Sequence, residues 1–275
     1  MAKDPYLLTP GPLTTSVATK SAMLHDWGSR DQAFIDTTAR VREHLLLIAG
    51  ARDTHVCVPL QGSGTFVVEA TLGTLVPKDG KTLVVINGAY GDRMTEMLDI
   101  MGRDYETYKT AEDVPSDPAE IDAILSKNLT ITHVAAVYCE TTSGILNPIA
   151  EIAAVVARQR RSLLIDAMSA FGALPLKAAD VTFDALMASS NKCLEGVPGM
   201  GFAIVRKKAL EACAGNSHSL SLDLHAQWVG LEKGGQWRFT PPTQVIVALD
   251  KALDQFAGNG GTDGRKQLFF DSQDA

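Results

Sequence analysis

A lysine stands in the middle of "ASSNKCLEGVPGMGF", residues 188–202, between the apolar runs "DALM" and "GFAIV". Lysine is among the residues least often buried. Lys192, at the end of a strand-like run, therefore reads as a solvated charge, a phosphate clamp or a covalent amine. Asp166 closes a second apolar run, "SLLID". A carboxylate there can bind a metal, orient a histidine, pair with a buried cation or cap the following segment "AMSAFG". At 62–65, "GSGT" places small residues ahead of a long apolar run. Such a junction exposes N–H groups at a helix start, where an anion is favoured, and Ser63 and Thr65 add hydroxyl donors. The dinucleotide glycine pattern needs a glycine where Val67 stands, and no G-K-[ST] follows. A plain tight turn stays open as the alternative. Tyr90, in "NGAYGDR", supplies an aromatic face.

Taken singly, each feature has an ordinary structural reading. Taken together, they meet the needs of pyridoxal phosphate. That cofactor carries a phosphate, a ring nitrogen that works best protonated, and an aldehyde that condenses with a lysine amine.

These residues need elements to position them. Phe34, Thr38, Val41, Leu45 and Ile48 recur at helical spacing, which predicts a helix over 31–49. Strands are predicted at 55–60, 82–86, 133–140, 162–166, 184–189 and 201–205. Helices are predicted in "FVVEATLGTLV", over 92–101, and over 148–160 with Pro148 at the start. The polar stretch 104–118 reads as a strand edge or loop. Strands alternating with helices imply a mostly parallel sheet covered on both faces, of the α/β class. Ligands gather at the carboxyl ends of such strands. Gln61–Thr65, Asn87–Tyr90, Glu140–Ser143, Asp166 and Lys192 all fall there. One βαβ-like step separates Asp166 from Lys192, so the two can meet at neighbouring strand ends.

The 275 residues carry a net charge of -7, with 45% hydrophobic and 21% charged side chains. That suits a soluble, cored protein and argues against nucleic acid or an acidic membrane as partner. No apolar run reaches the roughly 18 residues of a membrane span, and the N-terminus lacks a secretory h-region. Cys57, Cys139, Cys193 and Cys213 form no C-x-x-C pair and read as free thiols in a cytoplasmic protein. His218 and His225, seven apart, could share a helix face. Without a third ligand they read as surface or interface groups rather than a zinc site.

Eight motifs occur in order: "LLTPGP", "HDWGSRD", "QGSGTFVVEA", "NGAYGDR", "CETTSGILNP", "IDAMSAFGALP", "SSNKCLEGVPGMGF" and "RFTPPTQV". Over about residues 6–256 the chain resembles the 2-aminoethylphosphonate–pyruvate aminotransferases. These are fold-type-I pyridoxal phosphate enzymes related to alanine–glyoxylate aminotransferases, and the resemblance implies seven strands in the sheet. The resemblance implies that Lys192 bonds covalently to the cofactor and that Asp166 pairs with its ring nitrogen. It implies that Tyr90 stacks on the ring and that Ser63, Gly64 and Thr65 hold the phosphate, with Asn191 nearby. Thr141 would donate to the ring's phenolic oxygen. Thr240, with Trp237, would reach a phosphate in the partner subunit of a homodimer. The implied reaction turns 2-aminoethylphosphonate and pyruvate into phosphonoacetaldehyde and L-alanine, in the cytoplasm, with no metal. His25 and Arg30 would lie near the phosphonate.

The family carries a small C-terminal domain with an arginine that grips the substrate anion. Here residues 1–256 read as the cofactor-binding domain. Residues 257–275 read as a divergent tail, a linker or frayed end in which Arg265 does not match that arginine. The expectation is a shortened chain that binds the cofactor and turns over weakly or not at all. Other readings stay open: an alanine–glyoxylate or serine–pyruvate aminotransferase, a cysteine desulfurase-like lyase using Cys193 or Cys213, and a non-catalytic remnant.

Overall fold

The structure is a computed structural model and describes residues 4–271. Seven strands form one sheet in the order β1-β7-β6-β5-β4-β2-β3. They are β1 (His55–Gly62), β2 (Lys81–Ile86), β3 (Asp104–Lys109), β4 (Ile131–Val137), β5 (Ser162–Asp166), β6 (Ala185–Ser189) and β7 (Gly199–Arg206). The pairs from β3 through β2, β4 and β5 to β6 are parallel. β7 alone runs against its neighbours, β6 and β1.

Successive side chains of a strand face opposite sides, and here both sides are apolar. In β2, Leu83 and Val85 enter one buried cluster while Val84 and Ile86 enter another. β4 and β5 divide in the same way. Two helical layers cover the faces. The first holds α2 (Gln32–Ile48), α5 (Pro118–Lys127), α6 (Ile149–Arg158) and α9 (Thr243–Gly258). The second holds α3 (Gly64–Leu75), α4 (Ala89–Met101) and α8 (Leu224–Gly234). Among the described residues there are also the short helices α1 (Val17–Ser21) and α7 (Lys207–Glu211), a 3-10 turn at Ala22–Leu24, and the helix α10 (Gly261–Asp271). Among the described residues no helix is long and apolar enough to cross a membrane.

The predicted strands are present within about three residues, the strand predicted to reach 140 ending at Val137, and 104–109 is the edge strand of the polar stretch. Three expectations need correction. No helix joins β5 to β6: residues 167–184 cross as a series of turns. His218 precedes α8, which begins at Leu224, so it shares no helix face with His225. The tail is not frayed over the described residues. Its α10 packs on the chain through Arg265, which is buried and paired with Glu195. The expected boundary at 256 falls inside α9, and residues 272–275 of the tail lie outside the described residues.

Candidate active site

A cavity of about 160 Å³ opens at the carboxyl ends of the parallel strands. It is built from five places in the chain. β1 delivers Ser63, Gly64 and Thr65 at the start of α3, α4 presents Tyr90 and Arg93, and the turn after β4 presents Thr141. β5 ends on Asp166, and β6 leads into Ser189, Asn191 and Lys192. Eight of the nine predicted site residues thus meet around one space. Thr240 does not: it is exposed and lines a separate polar pocket of about 290 Å³ with Arg30, Trp237 and Arg238. His25 packs edge-on against Trp27, with ring centroids 5.0 Å apart.

α3 begins without a side-chain cap: Ser63 is its N-cap residue, yet its hydroxyl caps no N–H. The first N–H groups of a helix lack intrahelical partners and carry the positive end of its dipole. Donors of this kind at the edge of a cavity suit an anion. Close approach explains the glycine among them. A Cβ at Gly64 would lie 2.6 Å from the Met168 sulfur.

Asp166 is 2% exposed. Met168 N–H donates to its Oδ1 at 2.9 Å. Burial pushes the carboxyl up to about 6, helped by the nearby charge of Glu140. The Met168 bond, Arg93 and Lys192 pull the other way. A buried carboxylate that is short of positive charge favours a cationic group placed beside it. Lys192 is half-buried, and its ammonium is held below the ordinary lysine value by burial, against the opposing pull of Cys193 and Asp166. Its Nζ donates to Gly11 O at 3.4 Å. The N-terminal segment lies directly over it, since a Cβ on Gly11 would fall 2.3 Å from Lys192 Cδ. Leu13 N–H donating to Asn191 O at 3.2 Å fastens that segment down.

Sequence reasoning missed several residues that the fold brings in. The Arg93 guanidinium sits 4.6 Å from the centroid of the Tyr90 ring. Its place one turn after Tyr90 in a helix was the signal available. Gly11 comes from 181 residues away, and its motif "LLTPGP" did not tell that it lies over the lysine. The thiols are ill placed for nucleophilic chemistry. Burial pushes Cys193 to about 11, Cys213 to about 11 and Cys57 to about 12. A nucleophilic cysteine needs the opposite shift. Among the described residues no group of three His, Cys, Asp or Glu side chains could hold a metal ion.

The family model of the class-V aminotransferases matches residues 18–267. A 2-aminoethylphosphonate–pyruvate transaminase of Pseudomonas putida KT2440 is 56% identical over 272 residues, 99% of this chain and 74% of the relative. One from Pseudomonas fluorescens Pf0-1 is 58% identical over 261 residues, 95% and 71% respectively. The fold matches that of alanine–glyoxylate aminotransferase from Nostoc sp. at a TM-score of 0.88 and 23% identity, over 96% of this chain and 71% of that one. Pyridoxamine–pyruvate aminotransferase from Mesorhizobium loti gives 0.86 at 24%, over 97% and 68%. The chain belongs to the class-V aminotransferases.

Proposed function

We propose that this chain is a pyridoxal phosphate-dependent aminotransferase that takes the amino group of 2-aminoethylphosphonate and passes it to pyruvate. The observation that carries the cofactor reading is one cavity holding an uncapped helix N-terminus, a buried carboxylate that burial holds above its usual value, and a half-buried lysine. These donor types fit the cofactor's phosphate, its ring nitrogen and its aldehyde. The close relatives, at 55–58% identity, support the choice of substrates.

Ser63, Gly64 and Thr65 would hold the phosphate through the N-terminus of α3, with Asn191 beside them. Tyr90 would cover one ring face and Thr141 would donate to the phenolic oxygen. Asp166 would keep the ring nitrogen protonated, because a buried carboxylate and a cation stabilise each other's charged forms. When bound, the group supplies the electron sink that makes the hydrogen on the substrate's amine-bearing carbon acidic. Lys192 would hold the cofactor's aldehyde carbon until the substrate's amine displaces it, and its freed Nζ would then be the base placed to move that proton. A lysine below its usual value is better suited to that exchange than a solvated one.

We place the enzyme in the cytoplasm and propose a homodimer in which Thr240 and Trp237 serve the partner's phosphate site. The groove of Gly62, Phe66, Trp237, Phe239 and Thr240 beside the start of α3 supports this, with Phe66 and Phe239 about half exposed. Sedimentation at micromolar concentration tests it, and a monomer loaded with cofactor would overturn it. For the reaction, purified protein is supplied with pyruvate and, in turn, 2-aminoethylphosphonate, L-serine and glycine as donors. L-Alanine formed fastest from the phosphonate supports the proposal. A faster rate from serine would favour the serine–pyruvate reading, and none from any donor would favour the remnant.

A further inference from the structure

We propose that Glu140 is a positioning residue that sets the Tyr90 wall of the cavity against the Thr141 wall. The inference rests on the cofactor reading above and adds to it a residue that touches neither cofactor nor substrate.

Glu140 is fully buried just beyond β4. A carboxylate is kept in such a place only where its oxygens are satisfied. Tyr90 N–H donates to Oε2 at 3.3 Å. Thr142 N–H and Thr142 Oγ1–H donate to Oε1 at 3.3 and 3.0 Å. The first bond lies at the start of α4, whose N-cap residue is Gly88 and which has no side-chain cap of its own. Glu140 therefore supplies, from a neighbouring strand end, the acceptor and the negative charge that a helix start favours. Its other oxygen closes the turn that holds Thr141. The backbone of the same residue ties that turn as well, through Gly144 N–H to Glu140 O at 2.7 Å and Glu140 N–H to Ile145 O at 2.9 Å.

Gly88 gives independent support. Its φ of 166° is extended backbone that any residue adopts, so the glycine answers to space. A Cβ there would lie 2.3 Å from Glu140 Cγ. The chain thus leaves room for the carboxylate to reach α4. The charge has a second use. Asp166 is faced by Glu140 from β4, Arg93 from α4 and Lys192 from the turn after β6, and Glu140 alone of these favours its protonated form. By the same sign it favours a cation beside Asp166.

The test compares wild type, Glu140→Gln, Glu140→Ala, Gly88→Ala and the double variant Gly88→Ala/Glu140→Ala, each with added pyridoxal phosphate. The readouts are the dissociation constant, the visible circular dichroism per bound cofactor, and the melting midpoint without cofactor. The dichroism reports how the ring sits against the chain, which a purely structural role would leave unchanged. Glu140→Ala is expected to bind about tenfold more weakly and to lose about half of the dichroism, as loss of buried charge-assisted bonds implies. Glu140→Gln, which keeps an acceptor for Tyr90 N–H, retains most of the dichroism. Gly88→Ala mimics Glu140→Ala, and the double variant is no worse than Glu140→Ala alone. Wild-type dichroism per bound cofactor in Glu140→Ala, or in Gly88→Ala should the first variant not fold, overturns the proposal whatever the melting midpoint does. A wild type with no visible band that depends on Lys192 overturns the cofactor reading and this inference with it.

Discussion

Replacing Asp166 by asparagine should stabilise the cofactor-free chain at neutral pH while weakening its hold on the cofactor. Asp166 titrates near 6 in the folded chain, raised chiefly by burial from an ordinary value of 3.8. The folded state therefore binds a proton that the unfolded state has released between those two values. The resulting stability is complete below about pH 4 and is lost as pH rises through about 6. Its size is the difference of about 2 pH units at 1.36 kcal/mol each, or about 3 kcal/mol. The asparagine side chain would never ionise and could still accept the bond that Met168 N–H now gives to Asp166 Oδ1. The Asp166→Asn variant should match wild type at pH 4.5 to about 1 kcal/mol and exceed it by about 3 kcal/mol at pH 7.5, a melting shift of roughly 10 °C. His133 adds an opposite slope. Burial lowers it from 6.5 to about 4, so its contribution to stability falls as pH drops through that range. It is common to both proteins and cancels in the difference. Urea unfolding of both, cofactor-free, from pH 4.5 to 8 gives the answer. A difference that does not grow with pH, or an asparagine variant less stable at pH 7.5, would refute the reasoning.

Three further substitutions probe the frame around the cavity. Gly11→Ala would set a methyl group within the van der Waals radius of the Lys192 side chain. Cofactor loading, followed in the visible, should slow at least about tenfold, and melting should fall as well, because alanine is also strained at the φ of 145° that Gly11 adopts. Arg265→Ala would strand Glu195 and remove the pin between α10 and the lysine turn. With Glu195 partly exposed the cost should be about 2 kcal/mol by chemical denaturation, and the double variant Arg265→Ala/Glu195→Ala should recover part of it. Asn147→Ala would leave buried partners on Asn87, Ser116 N–H and Val137 O unmatched, at about 2–4 kcal/mol in the same assay.

The strands were legible because a sheet covered on both faces writes each buried strand as an unbroken apolar run, as in "TLVVI" and "SLLID". The cavity was legible for the same reason: its polar residues stand at the ends of those runs. What the pattern hid was non-local. β7 is as apolar as the parallel strands of the sheet, so nothing in "GFAIV" told that it runs against its neighbours. The turns at 167–184 carry enough apolar residues, Phe171 and Phe183 among them, to hide the missing helix. Glycine- and charge-rich "GNGGTDGRKQ" looked solvated. Yet Arg265 is buried there because Glu195, at a left-handed φ of 56°, turns its carboxylate to meet it. Glu140 was seen at a strand end, but its partner on α4, Tyr90, lies 50 residues away in sequence.

The central claim is that Lys192 bonds to pyridoxal phosphate in the cavity that also holds Asp166 and the start of α3. The most direct measurement adds pyridoxal phosphate to purified wild type and Lys192→Ala, records the visible band, reduces both with borohydride and maps the modified peptide by mass spectrometry. The account predicts a visible band in wild type, absent from Lys192→Ala, and a reduced adduct on the peptide containing Lys192. A band of equal strength in the Lys192→Ala variant, or an adduct on another lysine, would contradict it.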